Sequence, residues 1–183
     1  MFFAFFLGLV ILQRLLELVV AKRNETWMKS RGGEEFGAAH YPWMVGMHAS
    51  FFAALSLEVF LRNFQLSPQW KLLFVLFLIL QAGRIWALRS LGRFWNTKII
   101  VVRGAKVVKK GPYRFLKHPN YVIVALELLV IPLIFNAFWT ASLFTLLNIL
   151  MMKTRIPAEE AALKSLTDYR RVFSPTDSSA EKI

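Results

Sequence analysis

Hydrophobic residues fall along this chain in long blocks, and the blocks predict helices of membrane-crossing length. The first, residues 2–21 (FFAFFLGLVILQRLLELVVA), approaches the roughly 20 residues that a spanning helix needs. Gln13, Arg14 and Glu17 interrupt it. Arg14 and Glu17 are three positions apart on one helical face and are expected to pair. Charges inside a membrane helix are costly and face the protein interior or a substrate path, so the pair is either structural or substrate-lining. The second block, 41–61, opens on YPW, and proline suits the first turn of a helix. It carries His48 two turns in, a hydrogen-bonded core residue or an acceptor contact, and sets Glu58 four residues before Arg62 for another pair. The third, 70–90, has Trp70 and Trp86 as interfacial anchors, with Arg84 and Arg89 expected to snorkel toward water.

Residues 121–152 are apolar apart from such interruptions as Pro132 and Asn136. One helix of that length, at about 1.5 Å per residue, would overshoot a roughly 30 Å hydrocarbon core. Two helices folded back at 135–137 fit better and return both ends to one membrane face. The chain therefore reads as all-α: a polytopic membrane protein of about five transmembrane segments, the last two a short hairpin. One domain is expected over 1–173, followed by a disordered tail, 174–183 (SPTDSSAEKI).

Between the blocks, 22–40 reads as a polar loop with a glycine turn. Residues 98–109 (KIIVVRGAKVVK) alternate and break at Arg103-Gly104-Ala105, predicting a short surface hairpin. Residues 158–171 predict a surface amphipathic helix with Leu163, Leu166 and Tyr169 on one side. No basic residue precedes the first block and no small-residue cleavage site follows it, so a cleaved leader is not expected. Lys and Arg concentrate in 22–40 and in 91–118. That bias places these loops and the C-terminus in the cytoplasm and the N-terminus outside, in a membrane expected to be the bacterial cytoplasmic one.

Composition agrees: 56% of residues are hydrophobic and mean hydropathy is +0.47. The net charge of +12 raises the question of nucleic acid, since ten of the 23 Lys and Arg lie between Arg84 and Lys117 among aromatics. Lying between membrane segments, that run is explained by the positive-inside bias and by attraction to anionic membrane lipid, and no nucleic-acid partner is expected. With no cysteine and only His40, His48 and His118, neither a thiolate nucleophile nor a metal site is expected.

Candidate chemistry gathers in two polar clusters that bracket the apolar hairpin. The first, in GPYRFLKHPNYVIVALE (111–127), brings Tyr113, Arg114, Lys117, His118, Asn120 and Tyr121 to the start of a helix opened by Pro119. Helix N-termini favour anions, and the basic residues add to that field. The second, KTRIPAEE (153–160), holds Arg155 and the adjacent Glu159 and Glu160, near a second helix start after Pro157. Glu127 falls six residues after Tyr121, on another face of the same helix. A ligand with both an ammonium and a carboxylate suits two such clusters. Equally, the glutamates could complement a helix dipole while the basic run holds lipid headgroups, and spacing leaves both readings open.

GPYRFLKHPNY, an apolar hairpin and then RIPAEEAAL together resemble the isoprenylcysteine carboxyl methyltransferase family of membrane enzymes. The likeness to its small bacterial branch runs over nearly the whole chain, through QRLLEL (13–18), KRN (22–24), GGEEFGAAHYPWMV (32–45) and RIWALRSLGRFWNTKIIV (84–101). GPY…HPxY is also shared with membrane sterol reductases. The resemblance implies S-adenosylmethionine as cofactor, bound in a small cytoplasmic region shaped by Tyr113, Lys117, His118, Pro119, Tyr121, Glu159 and Glu160. It implies Arg155 as the residue positioning the methyl acceptor. The acceptor would be a lipid-like small molecule, an alkylpyrone as in the branch this sequence looks closest to, or a prenylcysteine, with Arg14, Glu17, His48 and Glu127 as candidates for lining its path. Two positions depart from the family pattern: Lys117 stands where Arg is usual, and Ile123 where Gly is common. The alternatives are a nicotinamide-dependent reductase of the sterol type and a non-catalytic lipid-binding membrane protein.

Overall fold

A computed structural model describes residues 1–173, and the tail expected to be disordered lies outside the described residues. The described residues are mostly helical, with almost no sheet. The main elements are α1 (Phe2–Lys29), β1 (Gly33–Phe36), α2 (Tyr41–Leu61), α3 (Trp70–Leu91), β2 (Ile99–Val102), α4 (Pro119–Ile134), α5 (Phe138–Leu166) and α6 (Tyr169–Phe173). Three helical stretches, Phe2–Lys29, Ala38–Leu61 and Trp70–Phe94, are long and apolar enough to cross a membrane. They group into two compact units: Met1–Ala38 with Leu91–Lys109 and the chain from Pro157, and Ala39–Ser90 with Lys110–Ile156.

The first unit is built on α1. Only 17% of its most apolar window is buried by protein, and Leu9, Leu12, Leu15, Leu16 and Val19 face outward, as lipid-facing positions do. Arg14 pairs with Glu17 at 3.0 Å as expected, and Gln13 donates to the same carboxylate. α1 continues through the polar residues 22–29, two turns beyond its apolar block. These turns meet a small antiparallel sheet, in which Gly33 lies opposite Val102 and Phe36 opposite Ile99. The hairpin predicted within 98–109 is therefore incorrect: the chain does turn at Arg103-Gly104, but β2 pairs with β1. A Cβ at Gly33 would lie 2.7 Å from the Met28 carbonyl oxygen, so only glycine lets β1 approach the end of α1 so closely. Ile99 and Val101 of β2 pack with Ala162, Leu163 and Leu166. The apolar side predicted for the tail is real, but it covers this sheet.

In the second unit, α4 ends at Ile134 and α5 begins at Phe138, so the fold-back lies where the apolar run is interrupted. Asn136 adopts the left-handed conformation there (φ 56°) and donates to the Leu66 carbonyl. The Glu58 carboxylate accepts from the first N–H groups of α5, Trp139 and Thr140, and from the Thr140 hydroxyl, while Arg62 holds it at 3.1 Å. Phe51 meets Phe144 edge-on at 5.4 Å, so α2 and α5 run antiparallel side by side.

Two further expectations are corrected. Arg84 does not snorkel: it is buried and donates to Glu127 at 2.9 Å, while Gln81 donates to the other carboxylate oxygen at 2.7 Å. Burial of both partners makes pairing cheaper than stretching one charge to water. Pro157 does not start a new helix but lies inside α5, which runs unbroken to Leu166. A proline costs that turn one backbone hydrogen bond, and the rest of the long helix carries the chain through it. Glu159 and Glu160 therefore sit within a helix, not at an N-terminus, and dipole complementation does not explain them.

Candidate functional site

GPYR (111–114) forms one 3-10 turn that brings the motif under α3. Gly111 has φ 58°, and a Cβ there would lie 2.1 Å from Ser90 Oγ and 3.0 Å from the Trp86 indole nitrogen. Tyr113 is thereby buried, while Lys117 is left exposed. Pro119 then opens α4 with its ring fully buried. His118 and Tyr121, on either side of this start, stack at 5.4 Å with their rings 15° apart. Ile123 is buried below them, its Cδ1 3.6 Å from where a Cβ would stand at Gly83 of α3. The bulk that this chain carries in place of the usual glycine is thus received by a glycine on the facing helix.

Arg155 enters the same unit from α5. It is only 3% exposed, its Nε lies 3.4 Å from the Tyr121 hydroxyl, and its guanidinium sits over the Tyr121 ring at 5.8 Å. A buried guanidinium held by a phenol keeps a positive charge in a low-dielectric place, where it acts strongly on any anion brought to it. His40, at the head of α2, lies within electrostatic reach of Arg155. Its Nε2 and the Asn120 Oδ1 are both buried without a hydrogen-bond partner among the described residues. Unmet polar atoms of that kind are costly in a finished core and expected where a polar ligand completes the site. Asn120 was already part of the polar cluster in 111–127; His40 entered only within the stretch 32–45 that resembles the family, with no role attached.

In the other unit, Glu160 accepts from Lys164 at 3.1 Å, and Glu159 is half-buried beside it on α5. Tyr169, at the start of α6, is 2% exposed. Burial, then the nearby Glu160 charge and more weakly that of Glu159, holds its hydroxyl neutral far above the usual tyrosine range. That hydroxyl faces the Glu160 carboxylate. A pair of carboxylates beside a neutral phenol can take an ammonium or a ribose-like diol. Tyr169 was legible only as part of an apolar face, because its partner comes from tertiary packing.

The candidates for lining the acceptor's path each have a polar partner. Arg14 and Glu17 satisfy each other on α1. Glu127 is occupied by Arg84 and Gln81. His48 is half-buried on α2 with Nδ1 2.9 Å from the Met44 carbonyl oxygen. Among the described residues no group of three or more His, Cys, Asp or Glu could hold a metal.

Comparison with known proteins gives the context for this geometry. An uncharacterized protein of Bacillus subtilis (strain 168), YpbQ, is 47% identical over 158 residues, covering 86% of this chain and 94% of its own. An uncharacterized protein of Haemophilus influenzae is 21% identical over 154 residues, 84% of this chain and 90% of its own. No solved structure matches. The isoprenylcysteine carboxyl methyltransferase family profile matches residues 72–165, which take in α3, the GPY turn, the HPNY helix start, Arg155 and both glutamates. The chain is a member of the isoprenylcysteine carboxyl methyltransferase family.

Proposed function

We propose that this protein is an integral-membrane O-methyltransferase that uses S-adenosylmethionine to methylate an acidic oxygen of a lipid-like acceptor, alkylpyrone-like or prenylcysteine-like. The observation that carries the reading is the buried Arg155 guanidinium docked on Tyr121 of the HPNY helix start. Arg155 holds the acceptor's oxyanion, because a guanidinium fork aligns a delocalised oxygen pair through two parallel hydrogen bonds. Tyr121 and its stacked neighbour His118 fix the orientation of that fork. Tyr113, Pro119 and, from the surface, Lys117 shape the cofactor's side of the motif, and Glu159 and Glu160 take its ammonium.

S-adenosylmethionine, when bound, supplies a methyl group on a sulfonium sulfur. Glu159, Glu160, Tyr113 and Pro119 would hold that group, and Arg155 would hold the acceptor oxygen that receives its methyl, the bonding pair staying with sulfur. A carboxylate or a pyrone enolate is already ionised near neutral pH, so no general base is needed and positioning supplies the catalysis. The chain spans the bilayer about five times with its N-terminus outside. Separate Ser67→Cys and Lys106→Cys variants should label from opposite sides of intact cells, and labelling from one side would overturn that orientation.

Calorimetric titration of the detergent-purified protein with S-adenosylhomocysteine and with NADPH tests the class. The first should bind and the second should not, since Glu159 and Glu160 repel phosphates. Glu159→Gln or Glu160→Gln should weaken S-adenosylhomocysteine by about 1.5–3 kcal/mol, the worth of a charged hydrogen bond, or roughly 10- to 150-fold. Unchanged affinity in both variants would remove the glutamates from the cofactor.

A further inference from the structure

One side of α1 carries a row of residues that the proposed reaction does not use. Leu9, Leu12, Leu16, Val20, Arg23 and Trp27 follow three-four spacing and so share one helical face. The four apolar members are exposed, as positions against lipid are. Where the row leaves the apolar block it becomes cationic and aromatic. The Arg31 guanidinium lies over the Trp27 ring, 4.7 Å from its centroid, and that of Arg93 lies 5.5 Å from it. Phe94 meets the same indole edge-on at 5.4 Å. Arg93 and Phe94 come from the turn Gly92–Phe94, and Asn24 fastens that turn to α1 by donating to the Gly92 and Trp95 carbonyls. The fold, and not a chance meeting of mobile side chains, brings the cluster together.

Two guanidiniums on one indole are separated by no more than about 10 Å, a Debye length at ordinary salt, so they repel one another through water. The carboxylates at this end of α1 are taken on other sides: Glu25 and Glu35 by Lys22, Lys29 and Lys98, and Glu34 by Arg103. Arg23, Arg31 and Arg93 form no ion pair among the described residues. We propose that this cluster is a binding site for an anionic phospholipid. The headgroup phosphate sits among the three arginines above Trp27, and an acyl chain lies along Val20, Leu16 and Leu12. A tryptophan where an apolar helix ends belongs at headgroup depth, and arginine offers a phosphate two parallel hydrogen bonds. A choline headgroup fits less well, because the ring that could take its ammonium already carries guanidiniums. A free phosphate would leave the apolar row beneath the cluster without a part. The proposal is independent of the methyltransferase reading.

The test is native mass spectrometry of the detergent-purified protein with dioleoylphosphatidylglycerol and dioleoylphosphatidylcholine, which share their chains and differ in headgroup charge. An arginine near an anionic lipid is worth roughly fivefold, so the wild-type protein should hold phosphatidylglycerol at least about tenfold more tightly than phosphatidylcholine. Arg31→Gln and Arg93→Gln, both at exposed positions, should each lower that preference severalfold, and together they should erase it. Lys106→Gln with Arg170→Gln removes as much charge from other exposed positions and should keep it. Glycerol 3-phosphate, an anion without chains, should not displace the lipid. A wild-type protein that takes both lipids alike overturns the proposal. So does a Lys106→Gln, Arg170→Gln protein that loses the preference as fully as the Arg31→Gln, Arg93→Gln one, which would make the attraction a matter of net charge. Displacement by glycerol 3-phosphate would overturn it too, and would give the cluster to a soluble phosphate.

Discussion

Two helix ends carry much of the charge in this protein, and they are finished in opposite ways. Where α1 leaves its apolar block, Glu25 accepts from Lys22, Lys29 and Lys98, and Glu35 shares the last two. Asn24 donates to the Trp95 carbonyl at 2.7 Å and Asn96 to that of Ala21 at 3.0 Å. That end is saturated, and it ties α1 to the strand β2 and the loop before it. Where α4 begins, charge is no denser, but the polar valence is incomplete: Asn120 Oδ1 and His40 Nε2 are buried and unmet, beside a guanidinium held by a phenol. Charge density does not separate the two ends, and leftover hydrogen-bond capacity does.

The largest effect should come from a saturated pair. Arg84→Leu leaves the buried Glu127 carboxylate without its guanidinium and should cost about 3–5 kcal/mol of stability, read as a shift of the denaturant midpoint in detergent. Replacing both, Arg84→Leu with Glu127→Leu, should recover most of it. A double variant as weak as the single one would mean that the pair does more than satisfy itself. A smaller effect is expected at the end of α1, where the partners are half-solvated. Burial works to raise the Glu35 carboxyl, but hydrogen bonds from Lys29 and Lys98 outweigh it, so its pKa lies below the ordinary value. The Glu25 hydrogen bond chiefly raises Lys98.

The signs follow. The contribution of Glu35 is present above its unfolded value of about 4.3 and is lost as pH falls through its lower folded one. That of Lys98 is present below about 10.4 and is lost as pH rises through its higher folded one. Glu35→Gln should therefore lower stability by up to about 1 kcal/mol near neutral pH, and the gap should close as pH falls through the lowered folded value. A gap that persists in acid would mean that Glu35 acts through packing.

Much of this was legible in the chain. Block lengths gave the membrane helices, the Pro132–Asn136 interruption gave the fold-back, and GPY…HPNY with Arg155 gave the polar cluster. Local spacing also gave the Arg14–Glu17 and Glu58–Arg62 pairs, since partners within one turn leave a sequence trace. Partners distant in sequence leave none. Arg84 looked like a snorkelling residue because Glu127 lies 43 positions away, and β2 looked like half of a hairpin because β1 precedes it by two helices. Pro157 misled for another reason: a proline inside a long helix costs one hydrogen bond, which a helix anchored at both ends tolerates.

The central claim is that Arg155 is kept for the acceptor and not for the fold or the cofactor. Arg155→Lys, assayed with the more active of a pyrone and a prenylcysteine acceptor and titrated in parallel with S-adenosylhomocysteine, tests it most directly. Lysine keeps the charge but offers a mobile point in place of a fork. Methyl transfer should fall by an order of magnitude or more, about 1.4 kcal/mol or greater, while S-adenosylhomocysteine affinity stays at the wild-type value. Near-normal kcat/KM in the lysine variant would contradict the account and leave Arg155 a buried structural cation.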